Sequence, residues 1–206
     1  MQKSELTEKI NSAIKNKKML SMDIKDKDYE ELTGFPIFVG DEILIILVII
    51  DFQFDGIKAV RLSEIESVHI FEDNSFYETI CKEEQLDKKH CGIISDIKIN
   101  TFKEFLEYFA EKDCFVTLEC KNNAYPFDIG FIEQISDKKV WLNSFDGDGK
   151  WCKYADEINL NDIVLVSVYD YYSRMYYKYM KKYKMLWGDE NVQYTDKYTE
   201  NDLWFW

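Results

Sequence analysis

The chain has 206 residues with 26 basic and 39 acidic side chains, giving a formal net charge of −13, and 46% of it is apolar. Aromatics at 16%, beside only 8 Gly and 2 Pro, exclude a collagen-like, mucin-like or disordered acidic polymer. The charge also argues against a general phosphate-backbone binder, which needs a net basic surface. Residues 1–100 hold 13 basic and 20 acidic side chains, and residues 101–206 hold 13 and 19, so the two halves carry −7 and −6. Acidity is therefore a property of the whole length, as expected of a soluble, self-repelling surface. Residues 1–18 are polar and amphipathic and lack the apolar core of an export signal. The most apolar run, residues 43–50, is far too short to span a bilayer as a helix. The five cysteines, Cys81, Cys91, Cys114, Cys120 and Cys152, are odd in number and lack a CxxC pair, which points to a reducing, cytoplasmic setting.

In chain order, residues 4–17 place Leu6, Ile10, Ala13 and Ile14 on one helical face. Strands are expected at residues 19–24, 35–39, 43–50, 57–62 and 65–71. A helix at about residues 74–85 follows, with Phe76, Tyr77, Ile80 and Cys81 on its apolar face. The order then repeats. Residues 101–112 carry Phe102, Phe105, Leu106 and Phe109 at helical spacing, and Thr101 with Glu104 forms a capping-box pattern. Strands are expected at residues 115–120, 127–135, 139–144, 151–154 and 163–168, and a closing helix at about residues 169–183.

The repetition extends to individual residues. Gly34-Phe35 through Asp41 matches Gly130-Phe131 through Asp137, Asp55-Gly56 matches Asp148-Gly149, and Leu62-Ser63-Glu64-Ile65 matches Leu160-Asn161-Asp162-Ile163. Val68 with Val166 and Ser75 with Ser173 keep the same order, so the sequence reads as an internal duplication. The expected fold is mainly β with flanking helices, in three parts: a first unit at residues 1–90, a second at 91–185, and an acidic tail at 186–206 ending in an aromatic cluster.

A helix followed by five short, bent antiparallel strands resembles the Sm-like fold, a small SH3-type barrel, over about residues 1–71 and 101–168. The resemblance implies two tandem five-stranded bent-sheet barrels in a bacterial-type protein. It also implies assembly through sheet edges, one of which a fused pair satisfies internally, so a monomer or dimer is expected. Sm-type RNA binders carry an Arg-Gly or Lys-Gly step after the fourth strand. The matching places here are Leu62-Ser63 and Leu160-Asn161, so the resemblance implies the barrel without its usual RNA site.

Catalytic and metal chemistry find little support. Of the two histidines, His69 alternates away from its apolar strand neighbours, and His90-Cys91 lies in the connector without a third orienting group. Paired short zinc-ligand spacings are absent, and Cys81, Cys114 and Cys120 fall on apolar faces. The run from Ser144 to Trp151 places Asp146, Asp148 and Gly149 like part of an EF-hand, but Ala155 stands where a bidentate Glu is needed. A hairpin turn explains those residues better. No P-loop, GxGxxG, HExxH or GxSxG pattern occurs, so no cofactor, metal or catalytic residue is expected.

Residues 174–184 form a non-acidic, tyrosine- and lysine-rich stretch in an acidic protein. It reads first as a terminal helix packing Tyr172, Met175, Tyr176, Tyr179 and Tyr183. It also reads as an interface, or as a stacking surface for nucleic acid through Arg174, Lys178, Lys181 and Lys182. Duplication without a catalytic cluster, acidity throughout and the aromatic terminus lead to a non-enzymatic module that binds another protein. Its composition resembles that of immunity proteins, whose acidic face caps a basic nuclease. Expected contact residues are Asp146, Asp148, Trp151 and Tyr154 on one rim, with Trp204 and Trp206 in the tail. The alternative is an RNA-binding Sm-like protein acting through the Tyr/Lys-rich helix.

Overall fold

The seven residues from Ile43 to Ile49 are buried without a break, because strand β3 (Ile43–Ile50) is covered on both faces. Its side chains separate by alternation: Ile43, Ile45, Leu47 and Ile49 enter one core, and Leu44, Ile46 and Val48 enter another. Each fully buried Ile or Leu contributes about 1.5–3 kcal/mol relative to exposure, which makes β3 a principal anchor of the fold. A computed structural model of the chain describes residues 3–25, 31–73, 75–87, 99–112, 114–121 and 127–186.

Ten strands form a single antiparallel sheet. The first half supplies β1 (Leu20–Ile24), β2 (Leu32–Val39), β3, β4 (Gln53–Arg61) and β5 (Ile65–Ile70). The second supplies β6 (Val116–Cys120), β7 (Asp128–Ile135), β8 (Lys139–Ser144), β9 (Asp156–Asn159) and β10 (Ile163–Val168). The spatial order is β5-β1-β2-β3-β4-β10-β6-β7-β8-β9. Four helices flank the sheet among the described residues: α1 (Lys3–Asn16), α2 (Phe76–Glu83), α3 (Phe102–Ala110) and α4 (Tyr171–Lys182). No helix there is long and apolar enough to cross a membrane.

The two halves repeat one strand order and one register. Leu20, Gly34 and Val48 lie opposite one another across β1, β2 and β3, as do Val116, Gly130 and Ser144 across β6, β7 and β8. An irregularity falls between Pro36 and Phe38 in one half and between Ile132 and Gln134 in the other. A 3-10 turn, Leu62–Glu64 or Leu160–Asp162, precedes each half's last strand.

The expectation of two tandem five-stranded barrels is corrected in that the sheet does not close, while an edge is satisfied inside the chain as expected. The sheet is open and continuous, because β4 pairs with β10 from Ile57↔Val168 to Val60↔Leu165. Left alone, β4 would expose unpaired backbone groups beside an apolar surface; β10 satisfies both. One core accordingly draws on both halves, including Ile45, Ile57, Phe105, Val140 and Val166. Arg61, 8% exposed, fastens the junction: Nε donates to Ile163 O and Nη2 to Leu160 O, each at 2.6 Å. Its Nη1 pairs with Glu42, and the guanidinium lies 4.7 Å from the Phe102 ring centroid. Such forked donation suits the planar guanidinium and no other side chain.

Local expectations fare unevenly. Leu6, Ile10 and Ala13 of α1 and Phe102, Phe105, Leu106 and Phe109 of α3 are buried as their spacing requires. The Thr101 hydroxyl accepts from Glu104 N, but the Glu104 carboxylate reaches Asn100 N rather than Thr101 N. In α2, Phe76 is 79% exposed and Glu78 is buried instead, accepting from Met19 N and pairing with Lys18 and Lys82. The expected strand at 151–154 is displaced to β9; Trp151 retains only an isolated bridge to Phe145. Asp148-Gly149 sits in the turn before β9, whereas Gly56 lies within β4, so that pair is not equivalent. His90 and Cys91 fall outside the described residues.

Candidate functional site

The two halves differ most where strand four begins. The β3–β4 hairpin is tight, pairing Ile50 with Gln53 across Asp51 and Phe52, both at positive φ. In the second half β8 ends at Ser144, the chain turns through Asp146-Gly147-Asp148-Gly149, and β9 does not begin until Asp156. The nine residues of β4 thus correspond to four in β9. A cavity of about 820 Å³ lies beside this shortened strand.

Among the described residues five acidic ones line it, Asp128, Asp146, Asp156, Glu157 and Asp162, with one lysine, Lys121. Lys121 is bound to Glu64 at 2.7 Å. Burial alone would raise the Glu64 carboxyl, but Lys121 and Ser63 hold it below its ordinary value. Asp156 accepts from Ser144, and Glu157 pairs with Lys139 at an exposed position where such pairs are worth little. Phe127, Phe145 and Tyr172 supply aromatic surface. A carboxylate-lined cavity with aromatic walls suits a cationic group.

Register equivalence sets this cavity against one of about 630 Å³ in the first half, lined by Asp23, Glu31, Glu66 and Glu119 with Lys58, so both are acidic and they differ at particular positions. Leu32 faces Met22, whereas Asp128 faces Leu118 at the matching position. Val48 and Ser144 share the next matching place, opposite Gly34 and Gly130. Two residues further on, Ile50 is replaced by Asp146. The half-to-half alignment contains this signal; it escapes notice when only the matches are read.

The expected contact residues are distributed over this rim. Asp146 lines the cavity, and its Oδ1 also accepts from Asp148 N at 2.9 Å and Lys150 N at 3.0 Å, closing the turn on itself. Gly149, at φ 74, completes that turn. Asp148 is exposed beside Lys150, and Tyr154 is 74% exposed. Trp151 faces inward, stacked on Phe131 at 6.0 Å, with Nε1 donating to Met185 O at 2.6 Å. Trp204 and Trp206 lie outside the described residues.

Helix α4 borders the cavity through Tyr172. Asp170 caps it, accepting from Ser173 N at 2.8 Å, and Tyr176 donates to Gly147 O at 2.8 Å. A shared hydrogen bond with Tyr176, then burial, pushes the Tyr172 hydroxyl up to about 12. The helix packs through Ser173, Tyr177 and Met180, not through the expected Tyr172, Tyr179 and Tyr183, which are exposed. Arg174 is turned into the protein, donating to Phe54 O at 3.2 Å and Asp170 O at 3.4 Å. Lys178 and Lys182 are exposed and Lys181 is half-buried. Cys120 and Cys152 both line the cavity; His69 is exposed and shares a hydrogen bond with Ser67 far from it. Among the described residues, no group of three or more His, Cys, Asp or Glu is placed to hold a metal ion. No protein-family model, curated protein or solved structure matches the chain.

Proposed function

We propose that this protein is a non-enzymatic binding module that takes a basic protein partner through the acidic cavity of its second half, in the manner of an immunity-type inhibitor. The observation that carries this reading is the contrast between halves: Asp128, Ser144 and Asp146 stand where the first half has Leu32, Val48 and Ile50. The recurring strand order, the matched glycines and the paired 3-10 turns support a duplicated, Sm-like origin for the two halves. On this view both units keep an acidic cavity, and the second has gained polar or acidic groups at three positions that are apolar in the first, with Asp156 in place of Lys58. The acidic net charge adds long-range attraction for a basic partner.

Titration calorimetry with a short oligo-arginine peptide at low ionic strength tests the reading. Asp128→Asn, Asp156→Asn and Asp162→Asn combined should weaken binding about tenfold or more. Neutralising Glu5, Glu107 and Glu111, which are exposed on and beside the helices, should change it less than about twofold. Equal losses in both variants would reduce the effect to net charge and remove the site.

A second reading, RNA binding through α4, has one observation in its favour. The exposed Tyr179 and Tyr183 rings stack at 6.4 Å, with Lys182 over both. Arg174 is committed to Phe54 and Asp170, so this surface would rest on Lys178, Lys181 and Lys182. A short single-stranded RNA should then bind with a steep salt dependence that Lys182→Glu weakens; no binding at low salt would dismiss it.

A further inference from the structure

We infer that the partner segment enters as an added β-strand, an extended basic peptide pairing with the open edge of β9 while its cationic side chains enter the acidic cavity. This rests on the proposed function and specifies the shape of its ligand.

The edge and the cavity are one place. Among the described residues β9 pairs with β8 alone, and Asp156, Glu157, Ile158 and Asn159, its whole length, line the cavity. Leu160 N donates to Lys138 O, so by antiparallel alternation Ile158 and Asp156 bond toward β8. Glu157 and Asn159 therefore turn their backbone groups outward, toward the side where no described strand pairs.

The protein itself shows what such an edge accepts. In the first half the matching edge, β4, is filled by β10 over four residue pairs, Ile57↔Val168 to Val60↔Leu165. Leu62 N donates to Glu42 O just as Leu160 N donates to Lys138 O, so the two edges present the same backbone pattern. Their side chains differ. Ala59 and Arg61 of β4, one small and one clamping the incoming strand, are replaced at matching positions by Glu157 and Asn159. An apolar strand such as β10 would take Glu157 and its exposed partner Lys139 out of water while offering neither a further hydrogen bond, which is costly. A strand carrying Arg or Lys satisfies both the backbone and the carboxylates. The other open edge, β5, offers Ile65, Glu66, Ser67, Val68, His69 and Ile70 with no Lys or Arg, so a second copy of this chain is a poor occupant of β9.

The test uses the full chain and peptides of alternating Arg and Ser, which fix which face carries the charge. Backbone N-methylation of every Arg, or of every Ser, leaves the charge unchanged and removes the donors on one lateral side only. Strand addition predicts that one methylated peptide loses binding about tenfold or more and the other keeps it within about twofold. It also predicts slowed amide exchange at Glu157 and Asn159 on binding. Equal binding by both methylated peptides, with no change in exchange at those amides, overturns strand addition while leaving the acidic cavity standing. No binding by the unmethylated peptide overturns both. Concentration-dependent self-association that the peptide does not displace would assign the edge to a second copy instead.

Discussion

Gly34 and Gly130 meet the same obstacle. A Cβ on Gly34 would lie 1.9 Å from Leu47 O, and one on Gly130 would lie 1.9 Å from Asn143 O. In each half the second strand crosses the third so closely that only hydrogen fits, and the close approach lets a short sheet bend over its core. Gly34→Ala and Gly130→Ala should each lower stability by about 3 kcal/mol, because backbone must move. Gly147→Ala, whose Cβ meets nothing within 4 Å, is the control and should stay within about 0.5 kcal/mol. Urea denaturation monitored by tryptophan fluorescence gives all three values.

The junction rests on Arg61. Arg61→Met should cost about 3 kcal/mol, since it strips the carbonyls of Leu160 and Ile163 of a charged donor and leaves Glu42 without its cation, with only Phe102 N still donating to it. Adding Glu42→Gln should recover part of the loss, and the double-mutant cycle from denaturation midpoints measures how much.

Asp170 gives a pH dependence with a definite sign. Burial, with Asp55 adding repulsion, raises its carboxyl above the ordinary 3.8, although Ser173 and Lys58 oppose the shift. Between 3.8 and the raised folded value the native chain holds more protons than the unfolded one, so this group's contribution to stability falls as pH rises. Asp170→Asn keeps an N-cap acceptor without the charge. The variant should therefore gain on the wild type near neutrality, and the gap should close on acidification through that window. Thermal unfolding across the pH range checks it; a gap that widens in acid would refute the assignment.

The cysteines should divide by reactivity. Burial pushes the Cys81 thiol up to about 11, while Cys152 is exposed beside the cavity. A bulky maleimide should label Cys152 in the native protein and Cys81 only after unfolding, as peptide mapping would show. Labelled Cys152 should also weaken oligo-arginine binding, whereas Cys152→Ser should not.

Sequence patterning was most informative where one residue decides the local structure. Thr101 marks a helix start, the Ile43–Ile50 run a buried strand, and Gly34-Phe35 and Gly130-Phe131 a repeated strand. It failed where partners are remote. Nothing local indicates that β4 will meet β10, a pairing decided by which edges remain once each half has bent. Strand β9, Asp-Glu-Ile-Asn, has one apolar residue and is held by register with β8, so the aromatic 151–154 stretch competes for the assignment. Helix α4 has tyrosines on every side, and spacing alone did not select Tyr177 and Met180 as the buried ones. Of the cavity, Asp146 was legible as a turn acid; Asp128, Asp156, Glu157 and Asp162 converge only through the sheet.

The central claim is that the shortened fourth strand of the second half is where a basic segment binds. Amide chemical-shift mapping during titration with an oligo-arginine peptide tests it most directly. The account predicts shifts concentrated at Asp128, Ser144 to Asp148 and Asp156 to Asn159, with little change at Leu32, Val48 and Ile50. Shifts spread equally over both halves, or centred on α4, would contradict it.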